Sequence, residues 1–229
     1  MKLLLRSLLV ALAFPFAATL RAEISAEGWL ETYYLNPKPD ELPQAIRQLR
    51  RDGYFDGPGH IAVSIGFIST VFAQNADRVD GWLLQLHGLD SKANRLIASA
   101  LWQAGHPLGS ELLRRLGQSS GLRTEIEKIA NTPVLPVEET AIRSVSSLNL
   151  HWGAFLASGS DRYILSILDA VGLDEPALTS TALATLARHA AEHPRVLEIC
   201  QAQLDRQPED VRGVLRAVVN SAAPAKPAS

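Results

Sequence analysis

From His60 to Phe72 the chain is apolar nearly all round: Ile61, Val63, Ile65, Phe67, Ile68, Val71 and Phe72 leave little polar face. A helix that is hydrophobic on every side must be surrounded by protein or by lipid. This stretch is too short to cross a bilayer, so it reads as a central buried helix around which everything else has to pack. Apolar spacing elsewhere is helical almost throughout, with no sustained alternation bounded by turn residues. The expected fold class is therefore all-α: antiparallel helical hairpins stacked as a bundle or a short helical-repeat solenoid, with about eleven helices after an N-terminal signal.

The helix boundaries follow from capping residues, glycines and prolines. Ser25 is the expected cap of a helix carrying Ala26, Trp29, Leu30 and Tyr33 and ending at Asn36-Pro37. The next runs from about Asp40 to Asp52, with Gly53 suited to a left-handed stop. Val79, Trp82, Leu83 and Leu86 form the stripe after the central helix. Ser91 is the expected cap of the helix bearing Leu96, Ile97 and Leu101, and Pro107 is placed in the first turn of the one after it. In the second half Ala141, Val145, Leu148, Trp152 and Phe155 make a long stripe broken at Ser158-Gly159-Ser160. Asp174 is the expected cap ahead of Pro176, and Pro194 and Pro208 open the last two helices.

Asn131 to Val137, with Pro133 and Pro136, is the one extended connection. The expected organisation is a signal peptide at 1–22, an N-terminal helical half at 23–130, the connection at 131–137, a C-terminal helical half at 138–221 and a disordered tail at 222–229. An internal echo crosses the connection. Leu96, Ala100, Ala104, His106, Pro107 and Leu112 match Leu183, Ala187, Ala191, His193, Pro194 and Ile199 at one constant offset, as two helical-hairpin repeats would.

Met1 to Ala22 has the form of an export leader. Lys2 and Arg6 give a positive start, Leu8 to Leu20 an apolar run interrupted by Pro15, and Arg21-Ala22 a small-residue end before Glu23. The expected localisation is periplasmic or secreted, with no stable membrane insertion after cleavage; retention as an anchor is the other fate of such a leader. Arginine far outnumbers lysine, a coding bias of GC-rich bacteria, which favours the periplasm. Loss of Lys2, Arg6 and Arg21 makes the mature chain more acidic than the formal charge of −2 of the whole. No basic field is left for nucleic acid. A single cysteine, Cys200, permits no internal disulfide, and its place among Val196, Ile199 and Leu204 reads as a small buried apolar residue.

Three patterns bear on chemistry. His189-Ala190-Ala191-Glu192-His193 has the H-x-x-E-H order of inverted zinc peptidases, in which histidines four apart share a helix face and the glutamate takes a proton from bound water. A peptidase needs a third ligand from a later helix of a large domain, and His193 abuts Pro194 at a helix end. The two histidines are therefore weak metal candidates, and no metal or cofactor is assigned. Gly57-Pro58-Gly59-His60-Ile61-Ala62 imitates a dinucleotide fingerprint, but no strand feeds it and proline removes an amide. No G-x-S-x-G elbow and no placed pair of carboxylates suggests hydrolysis.

Tyr54, Phe55 and Asp56 lie in a glycine-bounded connection and are the candidate partner-binding residues, two aromatics able to act as an interface anchor if exposed. The expected function is thus a non-enzymatic, exported protein-interaction module, an adaptor or inhibitor of an envelope protein partner. The alternatives are a carrier of an apolar ligand, which requires a closed cavity along Ile65, Ile68 and Phe72, and a zinc hydrolase built on the histidine pair.

Overall fold

In the computed structural model, which describes residues 25–222, twelve α-helices follow one another without a strand among the described residues. They are α1 (Ala26–Thr32), α2 (Leu42–Arg51), α3 (Pro58–Gln74), α4 (Val79–Gln85), α5 (Ser91–Gln103) and α6 (Gly109–Ser120), then α7 (Arg123–Ala130), α8 (Val145–Ser158), α9 (Asp161–Val171), α10 (Pro176–Glu192), α11 (Pro194–Gln203) and α12 (Glu209–Ala222). The all-α fold and the approximate helix number agree with the apolar periodicity. The expected leader lies outside the described residues. So does the expected tail, apart from Ala222, which ends α12.

Local signals account for most boundaries. The Ser25 hydroxyl accepts from the Gly28 N–H at 3.1 Å and starts α1. Gly53 stops α2 at φ 75°, and Gly159 stops α8 at φ 64°, both in the left-handed region where glycine lacks the Cβ penalty. Several expected caps move. Asp90, not Ser91, caps α5: its extended backbone aims the carboxylate at the Ala93 N–H, 3.0 Å away, while Ser91 is already helical. Glu175 rather than Asp174 stands at the N-cap of α10, because Pro176 takes the first helical position. Pro107 sits in a turn ahead of α6, which starts only at Gly109. The stripe expected from Ala141 begins later, since Ser144 and Ser147 form a reciprocal capping box that starts α8 at Val145 and leaves Ala141 exposed outside it.

The tightest helix pair is α3 against α8. A Cβ built on Gly66 would lie 2.0 Å from the Leu150 carbonyl oxygen, and one on Gly153 would lie 1.9 Å from the Val63 oxygen. Backbone therefore meets backbone at the crossing, which only residues without side chains permit. Ser69 and Thr70 turn their hydroxyls onto the Gly66 carbonyl, at 3.1 and 2.8 Å, so their burial beside the crossing is satisfied. Phe67, Ile68 and Phe72 of α3 and Trp152 and Phe155 of α8 spread from this crossing into a core drawn from both sides of the 131–137 connection. That connection is itself pinned. The Trp102 indole N–H donates to the Thr132 carbonyl at 2.8 Å, and Val137 and Ile142 are buried.

The two echoing segments are both helical hairpins, α5–α6 and α10–α11, with His106 and His193 at their turns. Their geometries differ, because Pro194 opens α11 directly whereas Pro107 precedes its helix by two residues.

Candidate functional site

The H-x-x-E-H segment closes α10. Proline disfavours helical backbone in the residue before it. His193 accordingly leaves the helix at φ −121°, ψ 107° and serves both as the C-cap of α10 and as the N-cap of α11. Its N–H still donates to the His189 carbonyl at 2.8 Å, so the two imidazoles stay one above the other, with ring centroids 5.3 Å apart. Neighbouring elements fix both rings. Trp152 of α8 lies over His189 at 4.1 Å and ties itself to α10 by donating its indole N–H to the Thr185 hydroxyl at 3.1 Å. Tyr34, following α1, places its hydroxyl 3.4 Å from His193 Nδ1 and packs its ring against the bare Cα of Gly159. His189 and His193 end at 5% and 6% exposure.

The electrostatics of the pair are unusual for a helix end. The Arg188 guanidinium donates to His189 Nε2 at 3.0 Å, which assigns the remaining ring proton to Nδ1. Nδ1 lies 4.0 Å from the Glu192 carboxylate, too far for a hydrogen bond. Burial, then the charges of Arg188 and His193, push the His189 pKa down to about 3, so the approach of Glu192 is not an ion pair at ordinary pH. Burial likewise lowers His193. His189 Nδ1 and His193 Nε2 are buried with no hydrogen-bond partner, which costs on the order of 1–3 kcal/mol each when nothing satisfies them. One potential ligand atom from each of His189, Glu192 and His193 lies within 4.8 Å of the others.

Of the expected Tyr54-Phe55-Asp56 anchor, the structure corrects Phe55. These residues form a 3-10 turn that drives Phe55 into the core at 0% exposure, where it cannot reach a partner. Tyr54 is half-buried and stacks flat on His60, 4.2 Å between centroids, and the His60 Nδ1 lies 3.0 Å from the Tyr54 carbonyl. Asp56 is exposed and bound to Lys92 at 2.7 Å and to Arg50 at 3.3 Å. Burial, then the carboxylates of Glu27 and Glu31, push the Tyr54 phenol up to about 12, against the opposing charge of Arg188. Glu31 is itself raised by burial, then by Glu27 and Glu192. The Tyr54 corner and the end of α10 thus lie within reach of each other's charges, a proximity that their separation in sequence conceals.

A second surface feature escaped the periodicity. Leu83, Leu84, Leu112 and Leu116 line a groove of about 400 Å³ between α4 and α6, and the Asp80–Arg115 ion pair, at 2.7 Å, lies on its edge. Leu84 is 72% exposed. The stripe of Val79, Trp82 and Leu86 turns inward and leaves the second leucine of Leu83-Leu84 facing out, which was the available signal. A wider cleft of about 500 Å³ between α1 and α2 is lined mainly by polar side chains, Glu41, Gln44, Gln48 and Asp52 among them. Among the described residues no helix is long and apolar enough to cross a membrane. The chain matches no protein-family model, no curated protein and no solved structure.

Proposed function

We propose that this chain works outside the cytoplasm as a non-enzymatic helical interaction module, an adaptor or inhibitor that takes an apolar helix of an envelope protein partner into the α4–α6 groove. The observation that carries this reading is Leu84, a large apolar side chain 72% exposed at the mouth of a leucine-lined groove. The lining residues on α6 run from Leu112 to Ser119, a span of about 10 Å, room for roughly two turns of a partner helix. Covering Leu84 contributes on the order of 2 kcal/mol. The acidic balance of the mature chain steers a basic partner toward it. A ligand carrier fits less well: at the Gly66 and Gly153 crossing α3 and α8 meet backbone to backbone, with no gap for an apolar guest.

The test compares the tagged mature chain with its Leu84→Glu variant in the native compartment, lightly crosslinked and identified by mass spectrometry. One protein recovered in near-equal amount with the parent and lost with Leu84→Glu, at unchanged thermal midpoint, is the expected result. Recovery of the same protein with both chains overturns the groove as the docking face. Recovery of the chain alone overturns the interaction reading.

A further inference from the structure

We propose that the α10–α11 junction binds a divalent ion of the zinc class through His189, Glu192 and His193, with Arg188 acting as a cation that must turn aside before the metal enters. Two imidazoles and one carboxylate are a borderline donor set of the kind that zinc, cobalt and nickel prefer over the hard oxygen-seeking cations. Both rings are neutral because burial disfavours their charge, so each keeps one lone pair that a metal can use. They also lack partners. His189 Nδ1 points toward the Glu192 carboxylate across 4.0 Å, and His193 Nε2 is buried without a hydrogen bond, so both nitrogens are free of protein partners and open to a metal once the Nδ1 proton has moved.

The geometry needs only a small contraction. Ligand atoms around a tetrahedral zinc at 2.0–2.1 Å stand about 3.3 Å apart. Here one nitrogen of each histidine and one Glu192 oxygen lie within 4.8 Å of one another, and Glu192, exposed at the helix end, is free to move toward the rings. Trp152 and Tyr34 hold the two rings in place beforehand, as outer-shell residues do in built metal sites. Water completes the shell on the exposed side.

Arg188 opposes loading in two ways. Its charge lies beside the site, and its hydrogen bond to Nε2 keeps the proton on Nδ1, the atom facing Glu192. Metal entry at Nδ1 transfers that proton through solvent to Nε2, which then has no lone pair for Arg188, and the exposed guanidinium swings outward. Glu31 lies within reach of the Arg188 charge to receive it. The site is therefore sterically prepared and electrostatically restrained.

The experiment titrates zinc chloride into the chelator-stripped chain by calorimetry and follows cobalt(II) by its visible absorption. One zinc per chain, a raised thermal midpoint with zinc, and an intense cobalt spectrum of low coordination number are expected. His193→Gln abolishes binding, Glu192→Gln weakens it by about tenfold or more, and Arg188→Gln tightens it. Absence of binding overturns the site; equal binding by the parent and both ligand variants overturns it too, and assigns the metal to exposed histidines such as His60 and His87. Should His193→Gln fail to fold, Glu192→Gln decides the ligand set alone, since its side chain is exposed. Arg188→Gln binding no tighter than the parent overturns the restraining role. Leu84→Glu leaves zinc affinity unchanged, which separates this inference from the fate of the groove.

Discussion

Gly66 of α3 faces the Leu150 carbonyl of α8 so closely that a single added carbon would lie 2.0 Å from its oxygen. The core is thus organised by an absence of side chains at the centre of its most hydrophobic helix. Gly66→Ala and Gly153→Ala should each lower stability by about 3 kcal/mol, because the obstacle is rigid backbone and the helices must separate to admit the methyl group. Urea unfolding of both variants, with Gly81→Ala as the control at a glycine with open space around it, checks this.

The Tyr54-Phe55-Asp56 turn should divide sharply by residue. Phe55→Ala empties a fully buried site and should cost about 3–5 kcal/mol. Asp56→Ala, at an exposed carboxylate, should leave the thermal midpoint unchanged within error. Equal effects would show that the turn does not seat Phe55 in the core.

Acidification should destabilise the chain before its carboxylates titrate. His151 is fully buried, its Nδ1 lies 2.9 Å from the Ser147 carbonyl, and its Nε2 has no partner. Burial lowers its pKa in the fold, opposed by the Ser147 carbonyl. Above about pH 6.5 the ring is neutral in both states and contributes no pH dependence. As pH falls below that value the unfolded chain takes up a proton that the fold refuses, so stability drops by up to about 1.4 kcal/mol per pH unit until the depressed native pKa is reached. Denaturant midpoints between pH 7 and pH 5 should show this slope together with the like contributions of His189 and His193, which burial also lowers, and His151→Gln should reduce it by the His151 share.

Cys200 should behave as an inert core residue. It is fully buried, and burial pushes its thiol up to about 12. Labelling by a thiol reagent at neutral pH should therefore proceed only at the rate of unfolding, and raising the urea concentration should accelerate it in parallel with the loss of helical circular dichroism.

The start of α5 distinguishes two adjacent residues. Asp90→Ala removes the side chain that accepts the Ala93 N–H and the partner of Arg50, and should cost about 1 kcal/mol. Ser91→Ala should be nearly silent. Thermal midpoints of the two variants measure the difference.

Much of the helical layout was legible because its signals are local. Ser25, Gly53, Gly159 and Pro194 act on their own backbone and mark ends wherever they stand. Caps were legible only to within a residue or so, as Asp90 against Ser91 shows, since either side chain has the right chemistry and the path of the chain selects one. The candidate site was half legible. The spacing of His189 and His193 put both rings on one face, but their burial depends on Trp152 and Tyr34, which arrive from α8 and from the turn after α1. Phe55, expected as an interface anchor, is drawn inward by its turn, and Leu84, which the expected stripe of Val79, Trp82, Leu83 and Leu86 omits, is left outside.

By itself the sequence determined an all-α chain with a central apolar helix at 60–72, because hydrophobic periodicity and backbone stereochemistry act over a few residues. The tertiary structure decided where that helix is touched and what chemistry its neighbours expose. Gly66 and Gly153 look like weak points in isolated helices and become the closest contact of the fold only when α3 and α8 cross. Burial, which neutralises His189 and strips its Nδ1 of water, belongs to no single segment, since it arises when α8, α10 and Tyr34 occupy the space that solvent would otherwise fill.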